Sequence, residues 1–174
     1  MLIIDDFLTE EDFDIVFTAF NYFDFKFYTQ ANLNSNNEHH FHFIHFHIDD
    51  WVVSYENADY IPRIIMNTYS KYSKKNVSLI RARSNLFVKT LDHPIGMGYH
   101  QDIPNSISYP NLHTLLMYLE DSNGSTEFKD GINVISKRNR AVVFHNDSFH
   151  QTMTSTDTLF RRNININFIE DYWN

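Results

Sequence analysis

The stretch "NRAVVFHNDSFHQTMTSTDTLFRRNININF", residues 139–168, holds two runs of strand character separated by a polar segment that contains His150. In the second run Ile164, Ile166 and Phe168 alternate with Asn163, Asn165 and Asn167, and Arg161 falls in step with the asparagines. Period-two alternation marks a strand whose two faces meet different surroundings. One face packs apolar side chains against a neighbouring layer, and the other presents a row of polar groups.

Short runs of strand character extend back to about residue 77. Strands are expected near 77–90, 113–119, 126–129, 132–136, 140–145 and 160–168. The four glycines of the chain all fall in this half, between the runs, where turns need them. Short strands punctuated by turns indicate a sandwich or closed β architecture with helices packed outside it.

Two helices are expected before that half. In "LTEEDFDIVFTAF", 8–20, Thr9 caps the first turn with Asp12 three residues on, and Phe13, Val16, Phe17 and Phe20 form one buried face. In "DYIPRIIMNTYSKYSKK", 59–75, Pro62 suits the first turn, and Ile61, Ile64, Ile65, Tyr69 and Tyr72 lie on one side. Between the helices, "FDFKFY" at 23–28 reads as a strand and "QANLNSNNE" at 30–38 as a polar linker. The expected organisation is one domain over 1–174, with a support region at 1–76 and a β core at 77–168.

Composition narrows the chemistry. The chain has 174 residues and no cysteine, so thiolate metal sites, disulfides and thiol catalysis are excluded, and any metal must have nitrogen and oxygen ligands. Its net charge of −8, from 22 acidic and 14 basic residues, argues against binding nucleic acid through the phosphate backbone. "MLIIDDF" turns acidic at its fifth residue and no apolar run reaches membrane-spanning length, so a soluble, cytoplasmic protein is expected.

Histidine is concentrated in "HHFHFIHFH", His39 to His47. On a strand His40 and His42 point one way and His45 and His47 the other, so these four divide two to a face. That run is expected to be a mixed aromatic strand or loop with partly exposed imidazoles. The H-x-D pattern is more informative, because residues i and i+2 of a strand share a face, and two histidines with one carboxylate form the facial ligand set of non-haem iron. Three copies occur: His47/Asp49, His100/Asp102 and His145/Asp147. For the first, the third-ligand candidates His93 and His100 have no Arg or Lys about ten residues beyond them. The third copy has only His150, too close to lie on an independent strand. His100/Asp102 can take His150 from fifty residues on, and Arg161 follows eleven residues later.

Taken together, "YHQD" (99–102), "HTLLMYLEDSNGSTEFKDG" (113–131) and the 139–168 stretch resemble the 2-oxoglutarate- and Fe(II)-dependent dioxygenases, closest to the prolyl-hydroxylase-like branch. The match covers 77–168, and "LIIDDFLTEEDF" at the start is similar to that branch as well. The resemblance implies a double-stranded β-helix, or jelly roll, with iron held by His100, Asp102 and His150. It also implies 2-oxoglutarate contacts from Arg161, Tyr118, Thr114 and Thr126, with O2 as the third reactant. Arg161 rather than Arg162 fits the family register of an arginine followed by apolar residues at +3 and +5. The family's Gly-Gly-x-Thr is replaced by Asn123-Gly124-Ser125-Thr126, where Asn123 is expected to tolerate a left-handed turn. The implied reaction hydroxylates a C–H bond, possible substrates being a peptidyl or free amino-acid side chain. A β-barrel that binds metal and 2-oxoglutarate without turnover, and a metal store in the His-rich run, are the rival readings. His113 and His145 are expected to be core or strand-end imidazoles, Asn85 and Phe87 packing residues, and Arg81 and Arg83 partners for surplus acid.

Overall fold

A computed structural model describes residues 1–20, 27–33, 39–49, 52–53, 60–103 and 111–171. Its elements are β1 (Leu2–Ile4), α1 (Glu10–Ala19), β2 (Tyr28–Leu33), β3 (His39–Asp49), β4 (Val52–Val53), α2 (Tyr60–Ser73), β5 (Asn76–Val88), β6 (Leu112–Tyr118), β7 (Ser125–Phe128), β8 (Asn133–Ile135), β9 (Arg140–His145), β10 (His150–Met153) and β11 (Phe160–Asp171).

The alternating strand β11 lies between β5 and β6, antiparallel to both, near the middle of a large sheet ordered β1-β9-β6-β11-β5-β3-β2, with β4 paired to β3. A smaller sheet runs β10-β7-β8, and Gly96 and His100 bridge Met153 and His150 on the free side of β10. Two facing antiparallel sheets wound in this order make a jelly roll, the double-stranded β-helix expected from the resemblance.

The faces of β11 divide as its sequence requires. Ile164, Ile166 and Phe168 are fully buried with Leu115, Met117 and Ala82, their neighbours across β6 and β5. The helices cover that face, adding Phe13, Val16, Ile61, Ile65, Met66 and Tyr69 to the same core. Each such aliphatic or phenyl side chain contributes about 1.5–3 kcal/mol on leaving water. The opposite face of β11 turns toward the smaller sheet, where Leu116, Tyr118, Phe128, Val134, Val142 and Phe144 form a second cluster.

Local signals explain most boundaries. Thr9 accepts a hydrogen bond from the Asp12 amide at 3.1 Å and starts α1. In α2, Pro62 occupies the first turn, but Tyr72 is 55% exposed and Met66 joins the buried face in its place. The strand expected at 23–28 falls mostly outside the described residues. Part of the stretch read as a linker is strand, because β2 continues through Gln30 to Leu33 in register with His39–His42. β1 and β10 were not foreseen. β1 is three residues long and pairs with β9 from the far end of the chain.

The His-rich run is β3, a full member of the large sheet. His42, His45 and His47 are buried, at 5%, 4% and 0% exposure, which corrects the expectation of partly exposed imidazoles. His45 pairs with Ser84 on the helix-facing side, and the His47 ring lies 2.7 Å from the Ser84 hydroxyl. His42 is on the other face, stacked on Phe87 with ring centroids 4.9 Å apart. The run is divided between two faces of one sheet, as alternation predicts.

Candidate metal centre

Backbone pairing brings His100 and His150 together. Each amide donates to the other's carbonyl, at 2.9 and 3.1 Å, so the residues are directly opposed and their side chains share a face. The ring centroids lie 4.7 Å apart. Asp102, two residues beyond His100, joins them: its carboxylate oxygens lie 3.8 Å from His100 Nε2 and 3.8 Å from His150 Nε2. The three ligand atoms fall within 4.8 Å of one another, a grouping that could hold one metal ion.

Both rings are oriented through their other nitrogen. His100 Nδ1–H faces the Gly98 carbonyl at 3.1 Å, and His150 Nδ1–H faces the Ser148 carbonyl at 3.0 Å. Donation from Nδ1 leaves each Nε2 lone pair available to a cation beside Asp102. Gly98 has φ +92°, a backbone conformation that L side chains rarely adopt, and it delivers the carbonyl that His100 uses.

Asp102 is held on many sides. Thr114 Oγ1 donates to Oδ2 at 2.9 Å, Asn165 Nδ2 lies 3.1 Å from both oxygens, and Asn167 Nδ2 reaches Oδ2 at 3.3 Å. Arg83 Nη2 reaches Oδ1 at 3.4 Å, and Arg81 Nη2 donates to the Asp102 backbone carbonyl at 2.9 Å. Burial by itself would raise the carboxyl; its electrostatic interactions with His150, Arg83, Arg81 and His100 outweigh it and hold Asp102 well below the usual carboxylate range. Burial pushes the His100 imidazole below its ordinary value, against the pull of Asp102.

Arg161 lies on the same inner face of β11 and is fully buried. Nη2 donates to Thr126 Oγ1 at 3.3 Å, and Thr126 also accepts from the Tyr118 hydroxyl at 2.8 Å. The guanidinium carbon sits 5.3 Å from the centre of the Tyr118 ring and 5.7 Å from that of Phe87. Among the described residues its Nε and Nη1 are buried with no hydrogen-bond partner. Burial lowers its pKa from the ordinary value, yet an arginine side chain stays charged in a protein, so a cation with two idle donors is buried on this face. Arg162 points the other way and pairs with Glu120 at 3.0 Å.

The structure therefore brings His100, Asp102 and His150 into one cluster and Arg161, Tyr118 and Thr126 into another. Thr114 belongs with the first, on Asp102. Asn123 is not in a left-handed conformation, which corrects the expectation for that turn. Its side chain instead bonds Thr156 twice, donating to Oγ1 at 2.7 Å and accepting from the amide at 2.9 Å. Arg81 and Arg83 face the metal-ligand cluster, and Asn85 donates to Asn163 at 2.7 Å on the same face. His145 pairs locally with Asp147 at 3.4 Å, and His113 lies 3.7 Å from Glu170. The roles of Asn165 and Asn167 were missed, although their step with Arg161 was the signal that could have found them.

No protein-family model matches the chain, and no curated protein matches its sequence. Solved structures do match its fold. A 2OG-Fe(II) oxygenase family oxidoreductase from Burkholderia pseudomallei superposes with a TM-score of 0.64 at 10% identity, covering 90% of this chain and 76% of that one. The viral collagen prolyl hydroxylase of Paramecium bursaria Chlorella virus-1, solved with 2OG, gives 0.59 at 12% identity, covering 97% and 94%. The non-heme alpha-ketoglutarate-dependent epimerase SnoN from nogalamycin biosynthesis gives 0.62 at 11% identity, covering 97% and 75%. The chain has the fold of the 2OG-Fe(II) oxygenases. Among the described residues no helix is long and apolar enough to cross a membrane.

Proposed function

We propose that this chain is a 2-oxoglutarate- and Fe(II)-dependent dioxygenase that hydroxylates a C–H bond and releases succinate and CO2. The observation that carries the reading is the joint presence of two sites along the inner face of β11, whose Asn165 and Asn167 bond Asp102 and whose Arg161 lies on the same side. Two Nε2 atoms and a carboxylate converge at one end, and a buried arginine with two unsatisfied donors stands at the other.

Fe(II) is the metal that this donor set suits, since two imidazoles and one carboxylate on one side leave positions open for other ligands. His100, Asp102 and His150 would hold it. Arg161 would bind the far carboxylate of 2-oxoglutarate through Nε and Nη1, because a planar guanidinium can make two parallel bonds to a carboxylate. Thr126 and Tyr118 keep Arg161 in place, and the Phe87 ring lies beside it. When bound, iron with 2-oxoglutarate and O2 supplies decarboxylation coupled to hydroxylation; the protein contributes position and exclusion of water. Thr114, Asn165 and Asn167 fix the carboxylate so that it does not reorganise when metal arrives. The fold shared with a viral prolyl hydroxylase supports a peptidyl or free amino-acid side chain as substrate.

The test is CO2 and succinate production from carboxyl-labelled 2-oxoglutarate with Fe(II) and O2, with and without peptides from a cell extract. Release should require Fe(II), rise with the correct peptide fraction, and fall at least a hundredfold in Asp102→Ala. Tight 2-oxoglutarate binding with no release under any condition would establish a binding module instead.

A further inference from the structure

The two segments that carry the metal ligands run side by side, but His100 and His150 pair as an isolated bridge, exchanging both backbone hydrogen bonds. Beyond that bridge, toward Asp102, no ladder joins the two segments among the described residues. A side chain supplies the partner that a strand would have given. Asn146 Oδ1 accepts from the Ile103 amide at 3.2 Å, and Asn146 Nδ2 donates to the Ile103 carbonyl at 2.7 Å. One amide group thus meets both backbone groups of the residue that follows Asp102.

Asn146 is fully buried and stands where three parts of the site meet. It opens the turn between β9 and β10, whose Ser148 carbonyl orients the His150 ring. Its own amide donates to the Leu112 carbonyl at 3.0 Å, at the head of β6 and close in sequence to the Thr114 that bonds Asp102. An exposed tie joins the same two segments, with Gln101 Nε2 donating to the Asp147 carbonyl at 3.0 Å. The chain around Asp102 is therefore held by the His100 bridge before it and by Asn146 after it.

From this arrangement we infer that Asn146 is the positioning residue that fixes the His100–Asp102 segment against the turn bearing His150, and so sets the affinity and geometry of the metal site. The inference rests on the reading of those three residues as metal ligands and adds the side chain that locks their two segments together. Removing the amide leaves the Ile103 N–H and C=O without their partner, and Asp102 shifts with them. Loss of such outer contacts commonly lowers metal affinity by about 10–100-fold. The competing account is that Asn146 only closes the β9–β10 turn, and it predicts lost stability with an unaltered site. Asn139 gives the comparison: at the other end of β9 its side chain makes the same two bonds, at 2.9 Å each, to Leu8.

The test titrates Co(II) into the wild type, Asn146→Ala, Asn146→Ser and Asn139→Gly, and reads the Kd and the visible spectrum, with urea unfolding alongside. Glycine suits position 139, where φ is +58°. Both Asn146 variants should bind Co(II) at least tenfold more weakly than the wild type and with a shifted spectrum, while Asn139→Gly keeps the wild-type Kd and spectrum. An unchanged Kd and spectrum in a folded Asn146 variant, or an equal loss of affinity in Asn139→Gly, overturns the inference. Failure of both Asn146 variants to fold overturns it as well, since the residue would then serve the whole fold. A wild type that binds no Co(II), or binding that survives Asp102→Ala, would instead count against the underlying metal reading.

Discussion

Gly124 leaves the room that Arg161 occupies: a Cβ at Gly124 would stand 2.5 Å from Arg161 Cδ and 3.0 Å from the Met153 carbonyl oxygen. Backbone on one side and a fully buried guanidinium on the other leave no slack. Gly124→Ala should therefore displace Arg161, at a cost of about 1–3 kcal/mol in stability. The Kd for 2-oxoglutarate, measured with Mn(II) present, should rise at least tenfold while Mn(II) binding itself changes little. Equal loss of both would mean that the site collapses as a unit.

Asn165 and Asn167 donate to a carboxylate that also accepts from Thr114 and Arg83. Removing such outer hydrogen bonds commonly lowers metal affinity by about 10–100-fold. Asn165→Leu should show that loss in a Co(II) titration, with a changed visible spectrum from the altered ligand geometry. Thermal unfolding distinguishes this from global damage, since Leu at a buried strand position costs little packing. An unchanged Co(II) affinity and spectrum would remove Asn165 from the positioning of Asp102.

His42 gives the fold a pH dependence whose sign can be worked out. Burial, then the charges of Arg83 and His100, push its imidazole down to about 4 from an ordinary 6.5. Between those values the unfolded chain takes up a proton that the folded chain refuses. Stability from this residue is complete above about pH 6.5 and declines as the pH falls toward 4, by a total on the order of 3 kcal/mol. His42→Phe keeps a ring on Phe87 and should flatten this part of the profile in urea unfolding between pH 4 and 7.5. A slope identical to that of the wild type would contradict the assignment to His42.

Much of the site could be read because strand geometry maps directly onto sequence. The alternation after Arg161 gave the inner face of β11, and H-x-D gave two groups on one side of the segment before β6. What could not be read depends on pairing between distant segments. β10 is four residues long with no alternation to mark it, and its position follows from its bonds to β7 and to His100. Arg81 and Arg83 were visible as neighbours on one face, but only the β5–β11 register makes that face the inner one. The His-rich strand was misjudged for exposure because its burial comes from β5 and from side chains beyond its own span.

Asn123 shows how a departure from a family pattern can be structural. Its amide side chain ties the β6–β7 turn to the segment before β11 through Thr156, and Asp157 accepts from the Asn123 amide at 2.9 Å. Asn123→Gly restores the family residue yet removes both side-chain bonds. It should lower stability by about 1 kcal/mol, measured by urea unfolding, rather than raise it. Higher stability in the glycine variant would show that backbone freedom matters more than the tie.

Convergence of His100, Asp102 and His150 on one iron beside Arg161 is most directly tested by mixing Fe(II) and 2-oxoglutarate with the protein under nitrogen. A weak visible charge-transfer band should appear in the wild type, be absent in His100→Ala and Asp102→Ala, and require much more 2-oxoglutarate in Arg161→Ala. A wild-type protein that gives no band at saturating Fe(II) and 2-oxoglutarate, or a band that survives loss of Asp102, would contradict the account.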